Sequence, residues 1–366
     1  MTAPHPSGLL HTEWITIIRS NAFAAEQAGQ LQPEQLELIY QQQWFKLLVP
    51  AAYGGLEMPL PELVRLEEAL SWADGSLGWV VTLCAGAGWF GGFTLPQTAR
   101  AIFADPQVCL AGSGAATGTA TIIPGGYRLN GTWRYASGVK HATHLTANCT
   151  IMQGDDIVMN ADGSPLVLPF VINKAAAIQI PAWKYVGMMG TGSHAFKLED
   201  VEVDAARCFK IDAAAKVIDT NLYNYPFLQL AEVTLAANLS GMAIHFSDLC
   251  EPLFQEKLQQ ARLTDHRRKV LMDTLHRVKN DLQNMRNQFY QALDASWPVL
   301  TDATGQEVVL QQVSATSRLL ADCARKSVDE LYTYCGLIAA APDTEINQVW
   351  RDMHTAGQHA LLTFLE

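Results

Sequence analysis

Apolar residues at helical spacing open the chain. Trp14, Ile17 and Ile18, then Leu31, Leu36, Ile39 and Tyr40, recur every three to four positions, and Pro33 stands where a helix would start. The Pro- and Gly-bearing stretch 48–56 interrupts this pattern, and Leu63, Leu66 and Leu70 resume it, so helix is expected from residue 12 to about 104. The run 76–99 carries no charge and is long enough to span a membrane. Its glycines (Gly78, Gly86, Gly88, Gly91, Gly92) and Pro96 favour a buried helix in a large core instead.

Asp105-Pro106 ends that pattern. Gly, Thr and β-branched residues then dominate to about 203, with strands expected at 119–123, 127–136, 145–152, 166–172 and 195–203, enough for a small barrel or sandwich. Gly125-Gly126 and Asn130-Gly131 read as turns around the run through Tyr127 and Leu129, with a second run through Trp133 and Tyr135, which is the pattern of a β-hairpin. Ser137-Gly138 breaks the second run. From about 221 the pattern is helical again. Leu271, Leu275, Val278, Leu282, Met285, Phe289 and Leu293 form one seam over 267–293, a rod of about 40 Å at 1.5 Å per residue. Helices at 227–254, 308–334 and 345–365 complete an antiparallel four-helix bundle. The fold class expected is mainly α with a central β domain, divided as 1–106, 107–212 and 213–366.

Composition narrows the function. The 366 residues carry 25 basic and 36 acidic side chains, a formal charge of −11, so no broad cationic field exists for nucleic acid or anionic lipid. Seven widely spaced cysteines without a Cys-x-x-Cys argue against both a disulfide framework and a zinc site. Residues 1–14 lack a signal-peptide pattern, and a cytoplasmic location is expected. Candidate chemistry concentrates at 125–141, where strand aromatics meet the hydroxyl and backbone N–H groups of Ser137-Gly138. A flat ligand with a polar edge would suit that place.

Several stretches together resemble the acyl-CoA dehydrogenase superfamily. They are Val49-Pro50 with Tyr53-Gly54-Gly55, Glu67-Glu68, Asp74-Gly75-Ser76-Leu77-Gly78-Trp79, the Gly126-to-Gly131 segment, Gly187-to-His194 and Trp350-Arg351-Asp352. Trp133-Arg-Tyr135-Ala-Ser137-Gly138 followed by His141 is most similar to the two-component, reduced-flavin-dependent hydroxylase branch. The resemblance implies an N-terminal helical domain, a middle β-barrel-like domain and a C-terminal four-helix bundle, with FAD or FMN between the last two. It also implies a separate flavin reductase, a homotetramer and a small aromatic or heteroatom substrate.

Residue by residue, it implies flavin contacts at Gly112, Ser113, Trp133, Tyr135, Ala136, Ser137, Gly138 and Thr191, with Trp133 and Tyr135 flanking the ring and Ser137 donating a hydrogen bond to its reactive edge. His359, Ser137 and His141 are the catalytic candidates. His359 ends a polar stripe through Gln348, Asp352 and Thr355, and an imidazole titrating near pH 6.5 suits proton chemistry at neutral pH. The superfamily's dehydrogenases carry a catalytic Glu where this chain has Ala360. Met189 replaces a usual Arg, and Ala111-Gly112-Ser113-Gly114 resembles the family's flavin-phosphate loop without the adjacent Thr-Glu-Pro of its dehydrogenases. Two other readings stay open: an acyl-CoA dehydrogenase with its base relocated to Glu232, and a non-catalytic ligand-binding protein of the same fold.

Overall fold

The structure, a computed structural model, describes residues 2–212, 214–261, 263–298 and 303–363. Five helices come first: α1 Thr12–Ala28, α2 Pro33–Gln41, α3 Leu60–Ala73, α4 Gly75–Gly88 and α5 Pro96–Phe103. Prolines at the first turns of α2, α3 and α5 start helices without wasting a donor. The Asp74 carboxylate accepts from Leu77 N at 2.7 Å and caps α4. The charge-free run after it is a 14-residue buried helix that gives way to a 3-10 turn at Trp89–Gly92.

Seven strands follow: β1 Leu110–Ile123, β2 Gly126–Ala136, β3 His144–Gln153, β4 Asp156–Ile157, β5 Val167–Asn173, β6 Ile178–Ile180 and β7 His194–Asp204. They form one mixed sheet in the order β4-β3-β1-β2-β7-β6, with β5 also on β3. The five expected strands are present, but the hairpin lies elsewhere. Asn130-Gly131 is no turn: β2 runs through it, and the turn joins β1 to β2 at Gly125. Tertiary packing explains the glycine. A Cβ on Gly131 would lie 2.5 Å from the Gly118 Cα and 2.9 Å from the Trp133 ring, so the position is small to admit that ring. The Asn130 side chain is held from the neighbouring strand, donating to Asp200 Oδ1 at 3.0 Å and accepting from Asp200 N at 2.9 Å.

The remaining helices are α6 Asn221–Asn224, α7 Phe227–Leu258, α8 Asp265–Ser296, α9 Ala303–Cys335 and α10 Glu345–Ala356. α8 contains the whole expected seam, and its 32 residues make a rod of about 48 Å. α9 packs on both α7 and α8, α10 on α7, and α3 lies along α7, so the N-terminal helices and the bundle share one core. α7 is the described helix long and apolar enough to cross a membrane, and 78% of that window is buried inside the protein. The last helix is shorter than expected. It stops at Ala356, a short 3-10 turn Ala360–Leu362 follows, and residues 364–365 of the expected helix lie outside the described residues.

Glu67 on α3 is wholly buried, and burial pushes its carboxyl up to about 8, a rise that the Thr82 hydroxyl opposes. Because the folded state keeps this proton and the unfolded chain releases it near 4.5, stability should fall as pH rises from about 4.5 to about 8. Glu67→Gln is expected to remove that slope. Thermal melts from pH 5 to 9 should show the variant gaining about 1–3 kcal/mol over the parent at pH 9 and little at pH 5; parallel curves would contradict it.

Candidate active site

The end of β2 sets the site. Tyr135 adopts φ +65°, an uncommon conformation for a bulky residue, and the chain then turns through Ser137-Gly138. Gly138 has φ +75°, its N–H donates to Thr191 O at 3.0 Å, and a Cβ there would meet the Cys84 Sγ at 2.7 Å. Only glycine suits this contact. The Ser137 hydroxyl consequently sits between α4 and the 188–193 turn. Trp79 Nε1 donates to Ser137 Oγ at 3.2 Å, Ser137 and Ser193 hydroxyls are 2.8 Å apart, Ser193 and Thr191 hydroxyls 2.6 Å, and Thr191 Oγ1 donates to Met188 O at 2.6 Å.

The terminal helix reaches the same place. Asp352 accepts from the Met188 N–H, while Arg351 pairs with Glu26 at 2.6 and 3.1 Å and donates to Val186 O at 2.9 Å, which holds the turn against α10. Burial raises the Asp352 carboxyl well above its ordinary value, nearby Asp74 adds to the rise, and the Met188 N–H opposes it. His359 lies beyond the helix, so the expected stripe ends at Thr355. The imidazole caps the 3-10 turn, with Nδ1 accepting from Leu361 N at 3.4 Å, and its ring meets Trp79 edge-on at 6.0 Å. Burial lowers its pKa below the usual histidine value.

Thus Ser137 and His359 both meet the same tryptophan, one at its indole N–H and the other against its ring. The other expectations divide. Tyr135 is 55% exposed, and its hydroxyl lies 3.1 Å from that of Tyr185, which stacks at a tilt with Trp183 at 4.6 Å. These three aromatics form an open shelf beside Ser137. His194 Nδ1 holds the shelf's backbone, accepting from Ala182 N and Trp183 N at 3.2 and 3.1 Å.

Trp133 does not flank a ligand. It is fully buried, stacked on Phe196 at 5.1 Å, with its N–H spent on Asn148 O. Strand alternation turns it into the sheet's core while the φ reversal turns Tyr135 out. His141 is likewise structural: Nε2 accepts from Leu31 N at 3.2 Å, and burial, then Lys174 and Lys140, push its pKa down to about 4. Ala136 is buried, and the Thr191 hydroxyl is wholly enclosed by its internal partners, so neither side chain is open to a ligand. Gly112 serves its neighbouring strand, since a Cβ there would strike Thr146 Oγ1. Ser113 starts a bulge, with 114–117 looping outward between the Ser113–Ala147 and Gly118–Cys149 pairs.

Trp79, Ser193, Trp183 and Tyr185 were not singled out from sequence as site residues. Only Trp79 and Ser193 lay in recognisable motifs, and neither motif says that they meet Ser137. The groups a flavin would use here are the exposed Tyr135 ring, the Ser137 hydroxyl, 5% exposed, and the half-buried His359 imidazole. Among the described residues no cluster of His, Cys, Asp and Glu could hold a metal ion.

Comparison with known proteins agrees with this architecture. The model of the acyl-CoA dehydrogenase C-terminal domain matches residues 233–364. The chain is 24% identical over 369 residues to the flavin-dependent monooxygenase oxygenase subunit HsaA of Rhodococcus jostii, covering 94% of this chain and 91% of that one. It is 26% identical over 330 residues to the indole-3-acetate monooxygenase of Pseudomonas putida, covering 87% and 80%. The structure of XiaF from Streptomyces sp., in complex with FADH2 and glycerol, superposes with a TM-score of 0.83 at 23% identity, covering 96% and 89%.

Proposed function

We propose, for a chain that fits the flavin-dependent monooxygenases of the acyl-CoA dehydrogenase superfamily in sequence and fold, that it is the oxygenase component of a two-component system. It takes reduced FAD or FMN from a separate reductase and transfers one oxygen atom of O2 to a small aromatic or heteroatom substrate. The observation that carries this reading is the convergence of Ser137 and His359 on Trp79 beside the Tyr135 shelf. In this reading flavin lies between segment 107–212 and the bundle 213–366, in a cytoplasmic homotetramer.

The flavin supplies the electrons and the site of oxygen activation. Tyr135 offers the ring an aromatic face, and Ser137 holds its polar margin. His359 accepts at Nδ1 from Leu361 N, so the neutral imidazole carries its proton on Nε2 and offers a donor to the reacting oxygen. Titration with oxidised and reduced FMN and FAD, then oxygen with a panel of phenols and indoles, tests the reading by product against peroxide. Failure of all four flavins to bind would overturn it.

The dehydrogenase alternative loses its base. Glu232 is wholly buried inside the bundle, accepting from Arg318 at 2.7 Å and Ser314 at 2.5 Å, and Ala360 carries no proton acceptor. Acyl-CoA thioesters are therefore expected to leave bound flavin oxidised under anaerobic mixing. Rapid bleaching that Glu232→Gln abolishes would restore the dehydrogenase.

A further inference from the structure

We propose that Thr191 and Ser193 make this site select reduced over oxidised flavin, by fixing which way the Ser137 hydroxyl points. The inference rests on the proposed function and concerns side chains that touch Ser137 rather than the ligand. Each hydroxyl has one proton to give, so the direction of the chain can be counted from its end. Met188 O is a carbonyl and only accepts, hence the Thr191 proton goes to it at 2.6 Å. Thr191 must then accept from Ser193 at 2.6 Å, and Ser193 must accept from Ser137 at 2.8 Å. Trp79 N–H can only donate, and its 3.2 Å approach to Ser137 Oγ agrees with that direction.

The Ser137 proton is therefore committed inward, and what the hydroxyl still offers is a lone pair. This reverses the donor role that its position in the motif implied. Reduced flavin carries a proton on N5 and donates there, whereas oxidised N5 only accepts. A serine locked as acceptor satisfies the first and leaves the second without a partner. The lock is anchored outside the chain of hydroxyls, because Asp352 accepts from the Met188 N–H and holds the turn whose carbonyl terminates it. Thr191 and Ser193 are thus positioning residues that act through Ser137, since their own protons are spent within the chain.

The test is the ratio of dissociation constants for oxidised and reduced FMN and FAD, measured anaerobically on the full chain. Ser193→Ala frees the Ser137 proton to turn outward, and Thr191→Val frees the Ser193 proton with the same consequence. Both are expected to tighten oxidised flavin and lower the oxidised-to-reduced ratio by about 3- to 10-fold, the range of one net hydrogen bond. For a two-electron couple, tenfold corresponds to about 30 mV in the potential of the bound flavin. Thr191→Ser keeps the hydroxyl and should keep the ratio. Mere disturbance of packing would weaken both forms together and leave the ratio unmoved. An unchanged ratio in folded Ser193→Ala and Thr191→Val proteins overturns this inference alone, whereas a wild-type protein that binds neither flavin form overturns the proposed function with it.

Discussion

His359→Ala is expected to lower product formation by about 10²-fold or more while the protein stays folded, the usual contribution of a positioned proton donor or acceptor. The ring is held at two points: Nδ1 accepts from Leu361 N, which caps the last 3-10 turn, and Trp79 meets it edge-on. Only Nε2 is left to act. Burial lowers the ring's pKa, so the neutral form persists below the ordinary histidine value of about 6.5. The acid limb of kcat/KM should therefore lie below pH 6.5 in the parent and disappear in the variant. Stopped-flow and steady-state assays with reduced flavin and oxygen, following product against peroxide, read both effects. If His359 only caps the turn, His359→Asn should keep turnover, because an amide oxygen can accept the same N–H; full activity in that variant would sink the assignment.

Glu68→Ala should cost about 3–5 kcal/mol of stability, the loss that follows when one partner of a buried ion pair is left alone. Glu68 and Arg286 are both 2% exposed, and Arg286 reaches the two carboxylate oxygens with Nε and Nη2 at 2.8 Å each. Tyr290 donates to the same carboxylate at 2.7 Å and Ser240 at 2.5 Å, so α3, α7 and α8 all meet on it. The N-terminal strap depends on it as well. Arg286 Nη2 donates to Pro4 O at 2.8 Å, Ala3 N donates to Asn287 Oδ1 at 2.8 Å, and His5 pairs with Asp248 at 3.2 Å. Without Glu68 the guanidinium is buried without a counter-charge, and the carboxylate that aims it at the Pro4 carbonyl is gone. Differential scanning calorimetry should show Tm falling by on the order of 10 °C, at about 2–4 °C per kcal/mol for large domains. Replacing both partners, Glu68→Leu with Arg286→Met, should be milder than Glu68→Ala alone. A single variant within about 1 kcal/mol of the parent would show that water compensates the pair.

Periodicity made the helices legible, because burial of one face imposes a 3.6-residue repeat wherever a helix meets a core. The α8 seam is the clearest case, and the three long helices of the bundle follow the same rule. The β-rich middle was legible from its composition, and the candidate site was chosen from Ser137-Gly138, a serine-glycine break that takes polar groups out of the strand ladder after the aromatics. Ala360 stands in the sequence itself as a side chain that cannot accept a proton. What pattern could not carry is direction. Trp133 and Tyr135 share the parity of one strand, yet a single positive φ at Tyr135 sends one ring into the sheet and the other to the surface. Asn130-Gly131 has the chemistry of a turn, but the space for Trp133 made it part of a continuous strand. The sequence puts His141 in a loop and His359 on a helical stripe, and neither placement says which ring nitrogen is free. Only the fold gives one a backbone N–H at Nε2, because chain folding brings Leu31 to His141 from far along the sequence, whereas His359 takes the N–H of Leu361, two residues on, at Nδ1 and keeps Nε2 open. The hydroxyl chain from Ser137 to Met188 joins residues some fifty positions apart, and its one-way direction arises from the single proton each member carries, which only the assembled contacts can orient.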